Sequence, residues 1–501
     1  MNGEVQQKRG GVASNALSLI VGQFIVYGGS IIVGIILVRI LSKSEYGTFL
    51  QVNLLLGTIG SLVVFGLPAS LFYFIPKLQS EQIKRFILQN LAVLLLLGLI
   101  AGGLVYVASD QMANLMNNQE LADFSLFIVV LLILGVMSEP IEPLMVALGK
   151  AAWVAALNVG FALGNLLLLP AAVLLGYGLK GMFIAMAGLL GVKLIIAYGS
   201  ILNRSGSVRS IINFSEIKEQ LLYVAPIGMS RILSNLNVRL DQFIVSYLYA
   251  PMTYAIYARG AFKLPLVPIV ANSVSNVLLP SLVRLRNDNE LTKMLELWHE
   301  SIKKSLLVLL PMGVFFFVFA KETMVVLFTE EYVESAAIFM VYLCTIPFEA
   351  TLYGNVHQAF GQTRHILIAN VINMAFTLVL NVVLYQPFGL LGPAIAIVSA
   401  RLIGVGYHLA VIRRYFGISL YRVFPFSFQL KMLGVCSLLV SAVMPLKLLV
   451  TSNILVLILA GIVYTVFYVA VLWFFNVLTV EEKSQIMQWI LMRDVRLKNV
   501  C

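Results

Sequence analysis

The sequence predicts an all-α integral membrane protein of about fourteen transmembrane helices: two parallel six-helix bundles followed by two further helices. Three observations predict this fold. The composition is 60% hydrophobic and 11% charged, the basic residues fall on alternate loops, and the chain contains an internal repeat. A span needs about 20 apolar residues, so a chain of 501 residues with short loops holds about fourteen spans. These loops are too short for a separate soluble domain.

The distribution of lysine and arginine predicts the topology. Of the 34 basic residues, 28 lie between the predicted spans, 23 of them on one side and five on the other. The positive-inside rule therefore predicts a multi-pass membrane protein with both termini in the cytoplasm. The net charge of +11 comes mainly from loops that face anionic headgroups, so it does not indicate a nucleic-acid partner. The five outside residues are Arg39, Lys43, Lys180, Lys321 and Lys447.

Short motifs recur at an offset of 208 to 212 residues, which indicates an internal duplication. This offset corresponds to six spans, an even number, so both halves have the same orientation. Parallel repeats of this kind are typical of transporters that handle their substrate between the halves. We expect domains at residues 1–212 and 213–423, and then residues 424–501 with two additional helices and a cytoplasmic amphipathic tail. The recurring motifs are Tyr46-Gly47 with Tyr254-Ala255, Ala147-Leu148-Gly149 with Ala359-Phe360-Gly361, Asn158-Val159 with Asn370-Val371, and Gly178-Leu179 with Gly389-Leu390.

Six basic residues lie inside predicted spans, and four of them fall on two consecutive spans. Arg231 and Arg239 stand eight residues apart on the seventh span, and Arg259 and Lys263 stand four apart on the eighth. Residues four apart share a helix face, and Asp241 offers one carboxylate against four cations. Because a cation is expensive in hydrocarbon, we predict a cationic cavity filled by water or by an anionic ligand. Its predicted residues are Arg231, Asn235, Arg239, Arg259, Lys263, Arg401 and Arg39.

Other polar residues inside the spans are interpreted separately. A desolvated carboxyl can load and release a proton, so embedded carboxylates are candidates for coupling to a proton or sodium ion, with pairing to the cations as the alternative. Lys193 is interpreted as reaching an interface. His357 and His408 are interpreted as packed, hydrogen-bonded residues rather than proton carriers. No metal site or other cofactor is expected. The coupling candidates are Asp241, Glu349 and Glu139.

Two amphipathic segments outside the spans are expected to be helices lying in the cytoplasmic interface. The first lies between the eighth and ninth spans and places Leu291, Leu295, Trp298 and Ile302 at helical spacing. The second is the C-terminal stretch Val480–Lys498.

Two segments of the chain are distinctive: Leu37-Val38-Arg39-Ile40-Leu41-Ser42-Lys43-Ser44-Glu45-Tyr46-Gly47 and, after Asp241, Tyr254-Ala255-Ile256-Tyr257. With these segments and with fourteen spans as twice six plus two, the chain resembles the polysaccharide-transporter branch of the multidrug/oligosaccharidyl-lipid/polysaccharide (MOP) flippase superfamily. The resemblance implies a flippase of the bacterial inner membrane that moves a polyprenyl-pyrophosphate oligosaccharide for O-antigen, capsule or exopolysaccharide. It also implies alternating access, driven by proton or sodium exchange. Its protein partners would be a polysaccharide polymerase or other assembly proteins.

Two other functions are less consistent with the sequence. A drug or cation antiporter of the same superfamily would be expected to use embedded carboxylates in its N-terminal half, whereas the first three spans contain none. A membrane-embedded polymerase or ligase usually carries catalytic residues in a large outer loop, and the outer loops here are short. Nor does a Walker motif indicate ATP hydrolysis. The sequence therefore favours a transporter over an enzyme.

The topology can be tested by cysteine labelling after the native residues Cys344, Cys436 and Cys501 are replaced by serine. A membrane-impermeant maleimide is expected to label Ser44→Cys in intact cells and to label Arg284→Cys only after the membrane is opened. The opposite pattern would invert the predicted orientation.

Overall fold

The computed structural model describes residues 22–202 and 212–474, and its regular elements are helices. The predicted tail helix Val480–Lys498 lies outside the described residues. Short 3-10 turns occur at Ile75–Lys77, Glu330–Tyr332 and Gly389–Leu391. The α-helices are α1 Gly22–Ile40, α2 Lys43–Val64, α3 Leu67–Phe74, α4 Ser80–Val107, α5 Ser109–Leu115, α6 Glu120–Asp123, α7 Ser125–Ser138, α8 Ile141–Ala147, α9 Ala151–Leu174, α10 Gly178–Leu202, α11 Phe214–Leu248, α12 Pro251–Gly260, α13 Leu266–Asn287, α14 Leu291–Val318, α15 Ala320–Phe328, α16 Ser335–Leu343, α17 Ile346–Glu349, α18 Tyr353–Ala359, α19 Arg364–Phe388, α20 Gly392–Phe416, α21 Leu420–Val423, α22 Phe426–Val443, α23 Leu446–Leu449 and α24 Asn453–Phe474.

Twelve helical stretches of the described residues are long and apolar enough to cross a membrane. One of them, Arg364–Phe416, holds both α19 and α20, which the turn at Gly389–Leu391 separates. The 35-residue α11 is not among the twelve, because residues such as Arg231 and Arg239 lower its hydropathy. The all-α, multi-pass membrane class is confirmed, and the number fourteen stays a prediction.

The described helices form two compact units. The first contains the described residues up to Pro265, which include α1 to α12, together with Thr363–Tyr407, which covers α19 and much of α20. The second contains Leu266–Gln362, which holds α13 to α18, and the described residues from His408 onward. The domains predicted from the sequence, with boundaries after residues 212 and 423, follow from the internal duplication. The two compact units do not test them, so they stay a prediction.

Helix α2 begins at a cap encoded in its sequence. The Ser42 side chain accepts a hydrogen bond from the Glu45 N–H, and the Glu45 carboxylate accepts one from the Ser42 N–H. Two residues further, a Cβ at Gly47 would overlap the carbonyl group of Pro251. Glycine at this position therefore lets α2 pack directly on the start of α12. These two helices carry the repeated motifs that begin with Tyr46 and Tyr254.

The bend after α2 packs on α11. Phe65 has a φ of 42° and Gly66 a φ of 77°, so both adopt the left-handed conformation. A Cβ at Gly228 of α11 would lie only 2.5 Å from the carbonyl oxygen of Phe65. Glycine at positions 66 and 228 thus permits a close approach of the two backbones.

Polar side chains hold the start of α11. The buried Gln220 amide donates hydrogen bonds to the Ser70 hydroxyl and to the Asn90 amide oxygen, each at 2.7 Å. One turn earlier, Glu216 forms an ion pair with Arg85 of α4. The start of α11 is therefore attached to α3 and α4 by side-chain bonds.

The end of α11 is held in the same way. The buried Gln51 amide on α2 donates to the Ser246 hydroxyl at 2.8 Å and to the Met116 carbonyl at 2.9 Å. Asn118 donates to the Gln51 amide oxygen at 2.6 Å and to the Thr48 hydroxyl at 2.9 Å. All of these groups belong to the first unit, so α11 is fixed within that unit at both ends.

In the second unit, one helix that was expected to lie in the membrane interface packs within the protein instead. The segment predicted as an interfacial helix is the first part of α14, a continuous helix of 28 residues. Trp298 and Ile302 are fully buried, and the Trp298 ring N–H donates to the Thr351 carbonyl at 2.8 Å. The prediction was wrong because an apolar stripe at helical spacing has the same pattern whether it packs on protein or on lipid.

The C-terminal helix α24 compensates for a proline in α14. Pro311 has no N–H, so the Leu307 carbonyl, four residues earlier, lacks its helical partner. The Tyr468 hydroxyl donates to that carbonyl at 2.8 Å, and the Tyr464 hydroxyl donates to the Pro311 carbonyl at 3.1 Å. In a membrane, such freed carbonyls need a partner from a neighbouring helix.

Candidate functional site

A cavity of about 400 Å³ lies inside the first unit, between α2, α7, α10 and α11. Four of the residues that line it are glycines, whose missing side chains leave the space open. The polar lining comes mainly from α11. The glycines are Gly57, Gly60, Gly66 and Gly135, and the polar side chains are Ser61, Glu139, Arg231, Asn235 and Arg239.

The polar stripe predicted on the seventh span lines this cavity. Arg231, Asn235 and Arg239 lie at successive intervals of four residues on α11, and all three face the same space. At about 1.5 Å of rise per residue, the stripe is about 12 Å long. One helix thus presents two guanidinium groups and an amide to the cavity.

Arg239 is packed against the backbone of α2. A Cβ at Gly57 would lie 2.6 Å from Nη2 and 2.7 Å from Cζ of this guanidinium. Nη1 of Arg239 also lies 3.5 Å from the Leu54 carbonyl oxygen. Glycine at position 57 therefore gives the guanidinium the space that it occupies.

Glu139 supplies negative charge at the cavity. It is the residue that follows α7, its side chain is exposed and lines the cavity, and Lys193 and Arg231 both lie near enough for their charges to act on it. Lys193 also lies near the ring of Phe161, with Nζ 4.9 Å from the centroid. The sequence analysis interpreted Lys193 as reaching an interface and did not place it beside Glu139. An isolated cation in one apolar span and carboxylates in another are the features that could have indicated this proximity.

Glu142 faces a separate small pocket of about 230 Å³ between α1, α8 and α9. Its carboxylate accepts a hydrogen bond from the Asn158 amide at 3.1 Å. The charge of Lys193 acts on Glu142 as well as on Glu139. The two carboxylates thus share a cation but have different surroundings.

A buried layer of charged and phenolic groups lies beside the stripe. Asp241 is fully buried and accepts a hydrogen bond from the Tyr257 hydroxyl at 2.7 Å. The buried Tyr254 is within electrostatic range of Asp241, Arg259 and Arg239. Arg259 stacks over the Tyr46 ring, with Cζ 4.7 Å from its centroid. This layer joins α12 to α2.

The other predicted residues lie elsewhere. The cavity lining does not include Arg259, Asp241, Lys263, Arg401, Arg39 or Glu349. Lys263 is exposed in the segment between α12 and α13, Arg401 is half-buried on α20, and Arg39 donates to the Ile35 carbonyl at 2.6 Å on α1. Glu349 ends α17 in the second unit. The structure thus brings Arg231, Asn235, Arg239 and Glu139 together. Within residues 22–202 and 212–474, no cluster of three His, Cys, Asp or Glu residues could hold a metal ion.

The sequence matches a known family over more than half of its length. The family model described as "Polysaccharide biosynthesis protein" matches residues 36–337. The capsular polysaccharide biosynthesis protein CapF of Staphylococcus aureus is 22% identical over 195 residues, which is 38% of this chain and 49% of CapF. The chain thus spans about half the length of this curated relative.

Solved structures show the same fold. The lipid II flippase MurJ in an inward closed conformation matches with a TM-score of 0.70 and 16% identity, covering 91% of this chain and 99% of that chain. An inward-facing multidrug resistance MATE family transporter matches at 0.63 and 16%, covering 80% and 98%. A MOP superfamily transporter from Pyrococcus furiosus matches at 0.56 and 17%, covering 81% and 95%. The fold is therefore the one that these MOP superfamily flippases and transporters share, and together with the family match it confirms the resemblance noted from the sequence.

Proposed function

The chain belongs to the polysaccharide biosynthesis protein family, and on this premise we propose that it is a flippase for a polyprenyl-pyrophosphate-linked oligosaccharide. It moves this substrate from the cytoplasmic to the outer leaflet of the bacterial inner membrane, for the synthesis of O-antigen, capsule or exopolysaccharide. Both termini lie in the cytoplasm, as the distribution of basic residues favours. The lipid tail stays in the bilayer while the charged headgroup crosses.

Two arginines in one cavity carry this proposal. Arg231 and Arg239 both line the cavity in the first unit, and Glu139 is the carboxylate in its lining. Arginine stays charged when buried and can bind two phosphate oxygens with its planar fork. A pyrophosphate group bound between them would compensate the positive charge that the lining leaves in excess.

The size and lining of the cavity also suit a headgroup. A volume of about 400 Å³ falls in the range of ligand pockets, which is about 300–1,000 Å³. The Asn235 amide and the Ser61 hydroxyl offer neutral hydrogen bonds beside the two arginines. The sugar nearest the pyrophosphate can use such groups.

We further propose that Glu139 exchanges a proton or a sodium ion during transport. Its side chain is exposed at the cavity, and the charges of Lys193 and Arg231 act on it. Before the substrate binds, the Glu139 carboxylate offsets part of the charge of the arginines. Once these arginines bind a pyrophosphate, the carboxylate needs another counter-charge. Taking up a cation is one way to do this.

Reversing the charge of Arg239 is expected to abolish flipping. In a strain that lacks the native gene, Arg239→Glu should lower surface polysaccharide by about a hundredfold, because a hydrogen bond to a charged group contributes about 1.5–3 kcal/mol and the new carboxylate repels phosphate. The complete lipid-linked oligosaccharide should accumulate.

Arg284→Glu is the matched control, because Arg284 is an exposed arginine at the end of α13. Membrane levels of both variants are measured by immunoblot. Full surface polysaccharide in Arg239→Glu at normal protein levels would contradict the cationic-cavity proposal. Unchanged polysaccharide and lipid intermediates in the deletion strain itself would favour a small-molecule antiporter.

Gly57→Ala tests the position of the Arg239 guanidinium. The new Cβ would displace the end of a flexible side chain rather than a helix, and alanine favours a helix over glycine by about 1 kcal/mol, so the free energy of unfolding should fall by no more than about 1 kcal/mol. Flipping should fall about tenfold, since misplacing a binding group by about 1 Å is costly. Gly60→Ala lies one turn away, and its Cβ would meet its nearest neighbour, Leu132 Cδ1, at 4.0 Å. Equal activity of the two variants would refute the positional role.

Glu139→Gln tests the coupling role in proteoliposomes. The variant is expected to move the lipid-linked oligosaccharide down its own gradient but to lose its acceleration by a proton or sodium gradient. Glu142→Gln is the control, because Glu142 is bonded to Asn158 and faces a different pocket. A gradient response in Glu139→Gln that equals the unmodified protein's would exclude Glu139 as the exchanging carboxylate.

A further inference from the structure

Two of the four histidines of the chain meet in the second unit. His357 on α18 is fully buried, and its Nε2 lies 2.9 Å from Nδ1 of His408 on α20. On its other side, Nδ1 of His357 lies 3.1 Å from the Tyr415 hydroxyl. The sequence interpretation of these histidines as packed and hydrogen-bonded agrees with this geometry. Their partnership was hidden because 51 residues separate them.

We propose that His357 and His408 form a single proton-binding site whose occupancy strengthens the attachment of α18 to α20. The ligand is the proton itself. The site is separate from the cavity of Arg231 and Arg239, which belongs to the first unit.

The count of ring protons explains why the site takes one proton. In the neutral pair, one N–H lies between the two rings. Whichever ring carries this N–H, Nδ1 of His357 can form a hydrogen bond with the Tyr415 hydroxyl, which can donate or accept. A single added proton makes His408 an imidazolium that donates to His357, while Nδ1–H of His357 donates to Tyr415. With the added proton on Nε2 of His408, both hydrogen bonds of this path keep a donor and an acceptor. A second proton would place two N–H groups face to face across 2.9 Å, so the pair cannot hold it while intact.

The Tyr353 ring is the neighbour that would interact with a charged His408. The Tyr353 ring is stacked on the His408 ring, with centroids 5.3 Å apart and an interplanar angle of 8°. The face of an aromatic ring attracts a cation. A charge-assisted hydrogen bond is about twice as strong as a neutral one. Protonation therefore strengthens the contact between α18 and α20.

Other titratable and charged groups stand further from the pair. On α14, His299 lies beside Trp298, which packs on Tyr353. On α13, Arg286 lies over the ring of Phe360, which in turn stacks on Tyr415. Arg413 and Arg414 lie in the last turn of α20. Aromatic rings thus separate His299 and Arg286 from the pair.

The pair lies near the predicted cytoplasmic ends of its two helices. His357 is two residues from the end of α18, and His408 is five residues before Arg413. At about 1.5 Å per residue, both imidazoles lie within about 10 Å of the predicted cytoplasmic ends. An imidazole titrates between about pH 5 and pH 8, so cytoplasmic pH falls in its working range.

Nitrogen NMR of the full chain, labelled with ¹⁵N-histidine and held in nanodiscs, tests the site directly. Assignment by single His→Gln variants separates the four residues. Between about pH 5 and pH 8, the resonances of His357 and His408 are expected to move together with the uptake of one proton. Resonances of the two that stay constant, or that titrate independently, would overturn the proposal. Tyr415→Phe, which removes only a hydroxyl, should shift the midpoint without separating the two resonances.

A transport assay with equal pH on both sides tests the consequence. The rate of lipid-linked oligosaccharide flipping should change across the NMR midpoint in the unmodified protein and should be independent of pH in His408→Gln. His365→Gln is the matched control, because His365 is hydrogen-bonded to the hydroxyl of Tyr407 at 2.7 Å. An unaltered pH profile in His408→Gln would refute the link to transport. Only this assay rests on the proposed function, since the NMR titration needs no substrate.

Discussion

The structure depends on one constraint: α11 carries charged side chains among the apolar helices of the first unit. An ion moved into a low-dielectric interior costs several kcal/mol even after relaxation. Arg231 and Arg239 therefore have to face a polar space, and the helix that carries them has to be held beside it. The first unit lines that space and holds α11 at Gln220 near its start and at Ser246 near its end by side-chain hydrogen bonds.

The same constraint explains where the glycines of α2 lie. A helix that contributes side chains at every turn would fill the space in front of the arginines. Gly57 and Gly60 leave that face of α2 open, and Gly47 lets the same helix approach α12 closely. Helix α2 therefore combines close packing near its start with an open face further along. Both properties come from glycines, which have no Cβ. Gly57 and Gly60 lie on the same face of the helix because they are three residues apart.

The sequence predicts the parts of this arrangement that are local. Hydropathy and the basic loops indicate the membrane class, and the spacing of Arg231, Asn235 and Arg239 places them on one face because α11 is an uninterrupted helix. Contacts between distant segments leave no such pattern. The approach of Lys193 to Glu139 and the stacking of Arg259 on Tyr46 depend on tertiary packing. The four cations expected in one cluster therefore lie in three places: Arg231 and Arg239 line the cavity, Arg259 belongs to the buried layer, and Lys263 is exposed between α12 and α13.

The carboxylates differ in ways that bear on ion exchange, although the sequence treats them alike. Asp241 is fully buried and bonded to the Tyr257 hydroxyl, and its layer also holds Arg259 and Tyr254. A cation that exchanged there would have to enter a closed layer and break a short hydrogen bond. Glu139 lines the cavity, so a cation in the cavity would meet it without rearranging the packing of α2 and α12. Access therefore favours Glu139 over Asp241 for the proposed exchange, whereas the buried Asp241 holds α11 to α12 through its bond to Tyr257.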